Sequence, residues 1–243
     1  MKYYHYVSET KLQMLLQQIQ EDSDKVTTEL KTDLKLLSRT RKTERNQSRY
    51  AALEKVSEFI LRFGNVGTVD EPAEYVFDTL SLKWGLYGIT QTVSNPLVFF
   101  AGASDQTVVG LGGSRKHVLG EDGTGIAGAA SGTALFARYL LEALELSTEN
   151  VRLYNTLKAD TAHRTKGFAP DNQEYIDLTA FSAYSMEGPI ERLEFLAKTL
   201  LQGQLSEDDF WKSKGLAGKR VLMATPLYVA RVDVPKELEN KED

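Results

Sequence analysis

Three cationic or titratable side chains in a row, Arg115, Lys116 and His117, follow Gly110-Leu111-Gly112-Gly113-Ser114. Beside backbone that carries no side chains, such residues suit one task above others, the holding of an anion. Successive free N–H groups at Gly112, Gly113 and Ser114 would form an anion-binding concavity. Arg115 and Lys116 would add charge, and His117 a proton donor or acceptor. Ser8 and Lys11 follow the first expected strand and would join this site if that strand ends nearby. The expected ligand-binding set is therefore Gly112, Gly113, Ser114, Arg115, Lys116, His117, Ser8 and Lys11. The plain alternative is a bulged strand whose basic residues are merely solvated.

A hydrolytic constellation can also be assembled on paper, with His117 as general base, Asp105 orienting it and Ser114 (or Ser8) as nucleophile. No G-x-S-x-G elbow supports it, so no catalytic residue is assigned in the leading reading. Gly123-Thr124-Gly125-Ile126-Ala127-Gly128 matches the letters of a dinucleotide fingerprint, but Glu121 and Asp122 precede it where a strand should end. Glu187 and Glu191 read as dipole partners at a helix start rather than as an acid/base pair. His5, His117 and His163 have no metal-ligand spacing, and there are no cysteines, so no metal site is expected. No cofactor follows from any of these motifs.

The elements that must position these residues come from periodicity. Lys2 to Val7 is aromatic and β-branched and reads as a strand. Ser8 caps a helix from Glu9 to Gln20 with Leu12, Leu15, Leu16 and Ile19 on one face. The segment from Lys25 to Ser38 fits either element, its threonines favouring a strand. A basic patch at Arg39, Arg41, Lys42, Arg45 and Arg49 leads into a helix from Gln47 to Arg62, with Gly64 at its C-terminal end. Leu80, Leu82, Trp84 and Leu86 alternate as a strand with one buried face. Leu97 to Ala103 and Thr107 to Gly112 pair as a hairpin around Ser104-Asp105-Gln106. It opens into a glycine-lined loop and then a helix from Ile126 to Leu146.

Further on, Val151 to Leu157 reads as a short strand and Lys158 to Asn172 as a loop. Leu178 to Tyr184 reads as a strand and Pro189 to Leu201 as a helix with proline in its first turn. Glu207 to Trp211 reads as a short helix. Val221 to Ala230 reads as an edge or bent strand, because Pro226 interrupts it. Tyr6-Val7-Ser8-Glu9 and Tyr184-Ser185-Met186-Glu187 suggest two β-α units side by side. Residues 1–235 are expected to form a single domain and 236–243 a disordered acidic tail.

A net charge of −5 on 243 residues gives no general attraction to nucleic acid or an anionic membrane, so neither is an expected partner. No apolar run approaches bilayer length, and MKYYHYVSET lacks the apolar core of an export signal. The cytoplasm is the expected location.

The opening KYYHYVSETKLQMLL, the central DTLSLKWGLYG and PLVFFAGASDQTVVGLGGSRKHVLG, and the closing RLEFLAKTLLQG and VLMATPLYVARV together resemble an uncharacterised prokaryotic domain family, a domain of unknown function. The resemblance spans nearly the whole chain. It implies an association with bacterial conflict or signalling loci and carries no catalytic residues onto this sequence.

The expected fold is α+β (mixed α/β): one sheet of six to eight strands, antiparallel in the middle, with helices packed on it. The expected function is a non-catalytic cytoplasmic module binding a small anionic ligand or a protein partner, in a prokaryotic defence or signalling system. Two alternatives stay open: a hydrolase of a phosphate-containing or ester substrate with His117 as base, and a purely structural subunit of a complex.

Overall fold

A computed structural model describes residues 2–21, 45–87, 97–120 and 172–232. The strands are β1 (Lys2–Val7), β2 (Val66–Gly67), β3 (Tyr75–Tyr87), β4 (Leu97–Ala103), β5 (Thr107–Ser114), β6 (Ile190–Gln204) and β7 (Arg220–Val232). The helices are α1 (Glu9–Glu21), α2 (Arg45–Phe63), α3 (Asn172–Ser185) and α4 (Asp209–Ser213), with a 3₁₀ turn at Arg115–His117. Several expectations lie outside the described residues: the segment from Lys25 to Ser38, Gly123 to Gly128, the helix from Ile126 to Leu146, the strand at Val151 to Leu157, the stretch with His163, Arg164 and Lys166, and the acidic tail.

The chain is a mixture of helices and strands, but its sheet closes rather than lying open beneath helices. β3 pairs with β4, β4 with β5, β5 with β7, β7 with β6, and β6 again with β3. Five strands thus form a barrel, antiparallel throughout except for the parallel β5–β7 pair. Closure removes free edges, and it is possible because β6 and β7, with 15 and 13 residues, are long enough to bend. Their pairing carries register shifts between Leu196 and Ala197 and between Thr199 and Leu201, irregularities of the kind that bend strands.

The barrel interior is filled by Tyr6, Leu82, Val98, Phe100, Val109, Leu111, Leu193, Phe195, Leu222 and Val229, among others. Outside, α1 and α2 cover one face through Leu12, Ile19, Leu53, Val56 and Ile60. α3 and α4 cover another through Ile176, Leu178, Phe181 and Trp211. Strands buried on both faces lose the alternation that marks a half-buried strand. Leu193 to Ala197 is accordingly five consecutive buried residues.

That double burial reverses two expectations. Leu178 to Tyr184 is helical, part of α3, and Pro189 to Leu201 is largely β6. The two side-by-side β-α units fall with them, since Tyr184-Ser185-Met186-Glu187 follows a helix and precedes a strand. Glu191 is a strand residue, accepting from Trp84 Nε1 at 2.9 Å with His5 Nε2 3.3 Å away, so it is no helix-dipole partner. β7 is bent as its proline suggested, but it is no edge: it pairs with β1, β5 and β6. The glycine-lined loop is also corrected at its start, because Gly112 and Gly113 run within β5 opposite Phe99 and Val98.

Candidate functional site

β7 gives one edge to β6 along nearly its whole length, and its other edge is shared. β5 takes Arg220 to Ala224, and β1 takes Tyr228 to Val232. Between them lie Thr225, Pro226 and Leu227. Proline has no N–H to strand when a partner is lost, so it suits the point where one neighbour gives way to another. Four hydrogen bonds close the handover. Ser8 N donates to Leu227 O at 2.8 Å, and Thr225 Oγ1 donates to Gly112 O at 3.0 Å. The other two come from Lys11.

Lys11 is placed by the sharp β1–α1 junction, where Leu12 N already donates to Ser8 O at 2.9 Å. With Leu12 packed in the core, Lys11 in the first turn reaches the gap in β7. Its ammonium donates to Thr225 Oγ1 at 2.6 Å and to Pro226 O at 3.0 Å. An ammonium carries three N–H groups, and these two acceptors are neutral. Burial without a compensating anion lowers the Lys11 pKa to about 7.

His117 closes the other side. The 3₁₀ turn tucks its ring against the edge of Tyr6, with centroids 5.9 Å apart, and its Nε2 lies 3.4 Å from Thr10 Oγ1. Burial, reinforced by the Lys11 charge and by Lys116 and Arg49 against the opposing pull of Glu9, lowers its pKa to about 4. The imidazole is therefore neutral at ordinary pH. The Tyr6 hydroxyl is bonded to the Ser8 side chain and the Ser114 backbone, and burial holds its pKa well above the usual tyrosine value.

Together these groups line a cavity of about 300 Å³. Its polar lining is made by Ser8, Thr10, Lys11, Ser114, His117 and Thr225. Its apolar wall is made by Tyr6, Met14, Leu15, Tyr75 and Leu200, with Gln18 and Lys198 also lining it. Lys198 is pre-engaged: its ammonium is 3.5 Å from Glu74 and lies over the Tyr75 ring at 5.9 Å. Arg49 forms an ion pair with Glu9.

Four of the eight expected ligand-binding residues, Ser8, Lys11, Ser114 and His117, thus share one cavity. The other four do not line it. Arg115 and Lys116 lie on the 3₁₀ turn, the former partly exposed and the latter exposed. Gly112 and Gly113 serve packing and pairing in β5 rather than forming an anion nest. A Cβ on Gly113 would lie 2.5 Å from Tyr6 Oη, and the Gly112 carbonyl takes the Thr225 hydroxyl.

Asp105 sits in the β4–β5 turn, about 20 Å from Ser114 at the usual strand rise. The Ser114-His117-Asp105 triad is therefore not assembled. No group of three or more metal-ligating side chains occurs among the described residues, and no helix among them is long and apolar enough to cross a membrane. Thr10, Thr225 and the apolar wall were missed from sequence, although Pro226 within a strand, next to Thr225, marked the place beside which the cavity opens.

A family model described as a family of unknown function, DUF7019, matches residues 2–233. No curated protein and no solved structure matches the chain. The chain belongs to this DUF7019 family, in accord with its resemblance to an uncharacterised domain family.

Proposed function

We propose that this protein is a non-catalytic module that holds a small anionic ligand in the cavity between α1 and β7, with Lys11 as the anchoring cation. One observation carries the reading. The Lys11 ammonium is drawn into a cavity where, among the described residues, it meets two neutral oxygens and no carboxylate. Burying an uncompensated charge is costly, and a bound anion would remove that cost. Ser8, Thr10, Ser114 and Thr225 supply hydroxyls around it, and neutral His117 can donate or accept. The separation of Asp105 from Ser114 along β5 supports the non-catalytic side of the reading.

The test is calorimetric titration and thermal shift of the purified protein against small carboxylates, phosphates and sulfonates, repeated with Lys11→Met. A ligand present at about 100 times its Kd stabilises the folded state by about 2.7 kcal/mol. A ligand whose binding disappears in Lys11→Met is the expected result. An anion that binds equally well to the variant, or no binding by any anion, would overturn the reading and favour a protein partner.

A further inference from the structure

Resting on that reading, the geometry points to a narrower ligand class: a monoanion with a compact apolar body, an aryl or branched-alkyl carboxylate, rather than a nucleotide or polyphosphate. Charge is the first argument. Of the cations near the cavity, Lys198 is engaged by Glu74 and Tyr75, and Arg49 by Glu9. Arg115 and Lys116 do not line it, and His117 is neutral. Among the described residues, that leaves one uncompensated positive charge, on Lys11. A single negative charge matches it, whereas a di- or trianion would bring further charge into a part-buried site without partners.

Shape is the second argument. About 300 Å³ is at the lower end of small-molecule pockets, which suits a ring or a short branched chain better than base, sugar and phosphate together. Surface character is the third. Tyr6, Met14, Leu15, Tyr75 and Leu200 line the same cavity as Lys11, so a ligand anchored by its carboxylate has apolar side chains within reach of its other end. Thr225 already contacts the ammonium at 2.6 Å, and its neighbouring hydroxyls can serve the second carboxylate oxygen.

For a ligand of about ten non-hydrogen atoms these contacts support a Kd on the order of 0.1–1 mM. The experiment titrates benzoate, 4-methylpentanoate, benzamide, acetate, inorganic pyrophosphate and AMP into the full chain, into Lys11→Met and into Met14→Asp. Met14 is 57% exposed, so its variant does not threaten the fold. Benzoate or 4-methylpentanoate should bind at least tenfold more tightly than benzamide and acetate. Each variant should lose at least tenfold of that affinity, the first by removing the charge and the second by placing a carboxylate on the apolar wall. If AMP or pyrophosphate binds more tightly than the apolar carboxylates and still depends on Lys11, the anion site stands and the ligand class is overturned. If benzamide binds as well as benzoate, or if none of the six binds, both fail.

Discussion

Lys11 makes a prediction that needs no ligand. Its folded pKa of about 7 lies below the ordinary 10.5, so between those values the unfolded chain binds a proton that the folded chain does not. Stability therefore rises with pH across that window, and below pH 7 the folded protein carries the full cost of a charged Lys11. At face value the shift corresponds to about 5 kcal/mol. The part-buried setting of Lys11 and its bonds to Thr225 and Pro226 reduce this, so we expect a gain of about 2–3 kcal/mol between pH 6.5 and 9.5.

Lys11→Met keeps the stem and removes the charge. Its unfolding free energy, from urea titration at four pH values, should lack this rise. The variant should be more stable than the parent at pH 6.5, less about 1 kcal/mol for the hydrogen bonds lost. Groups facing Lys11 do not imitate the effect: His117 still titrates near pH 6.5 in the unfolded chain, but it is common to both proteins, as are Arg49 and Lys116. Tyr4, Tyr6, Tyr75 and Tyr228, all with raised pKa values, cancel in the difference. Parallel pH profiles for the two proteins would refute the claim that the Lys11 ammonium is buried without a counter-charge.

Three further expectations follow from local geometry. Gly113→Ala places a methyl 2.5–2.8 Å from the Tyr6 hydroxyl and ring, and should destabilise by about 1–3 kcal/mol in urea titration; an unchanged midpoint would contradict the packing role of this glycine. Asp70 accepts from Ser104 Oγ at 2.5 Å and from the fully buried Thr107 Oγ1 at 2.8 Å. Asp70→Ala orphans the latter and should cost about 2–3 kcal/mol, read as a lower thermal midpoint with faster amide exchange in the β4–β5 turn. Asp177 is buried on α3, and desolvation, with Asp208 and Glu174 adding to it, raises its pKa to about 6 despite the bond from Gln173. A raised carboxyl pKa gives stability that is present below pH 4 and lost as pH rises through 6. Asp177→Asn should therefore raise the midpoint at pH 7.5 by a few degrees and leave it unchanged at pH 4.

Helix α1 was legible in the sequence because it keeps one wet face. Leu12 and Ile19 are buried on α1 while Met14 stays exposed, and that contrast shows through the letters. Lys2 to Val7 was read from its aromatic and β-branched content, Leu80 to Leu86 from alternation, and the hairpin around Asp105 from turn chemistry. α3 and β6 were exchanged because neither keeps a wet face along its middle. On α3, Asp177, Thr179 and Ser182 are buried along with Ile176, Leu178 and Phe181, so no helical stripe remains. On β6, the good helix formers Glu194, Leu196, Lys198 and Leu200 sit in a strand pressed between barrel interior and outer helices, where packing overrides local preference. Closure was illegible for the same reason: it is a property of long-range pairing between β3 and β6, and nothing local to either strand announces it.

The candidate site was half legible, and the half that was missed explains the half that was found. Arg115, Lys116 and the glycines drew attention because their letters are those of anion sites, yet charge in a sequence says nothing about what surrounds it. Lys11 has one cationic side chain and an unremarkable neighbourhood in the sequence. It becomes chemically distinct only because β7 changes partners at Pro226. There β5 has ended and β1 has just begun, so the strand offers Thr225 Oγ1 and Pro226 O to a side chain instead of to a neighbouring ladder. The same change of partner opens the space between α1 and the barrel that the apolar wall lines. A barrel with an unbroken ladder along that edge would have neither the free acceptors nor the cavity. The site thus belongs to the topology as much as to its residues, and filling the gap tests this without touching a charge. Gln18→Trp, at an exposed lining position, should block the cavity and abolish anion binding while leaving the pH-linked stability of Lys11 in place, since the ammonium keeps both of its oxygens. Retained binding in that variant would show that the anion sits elsewhere.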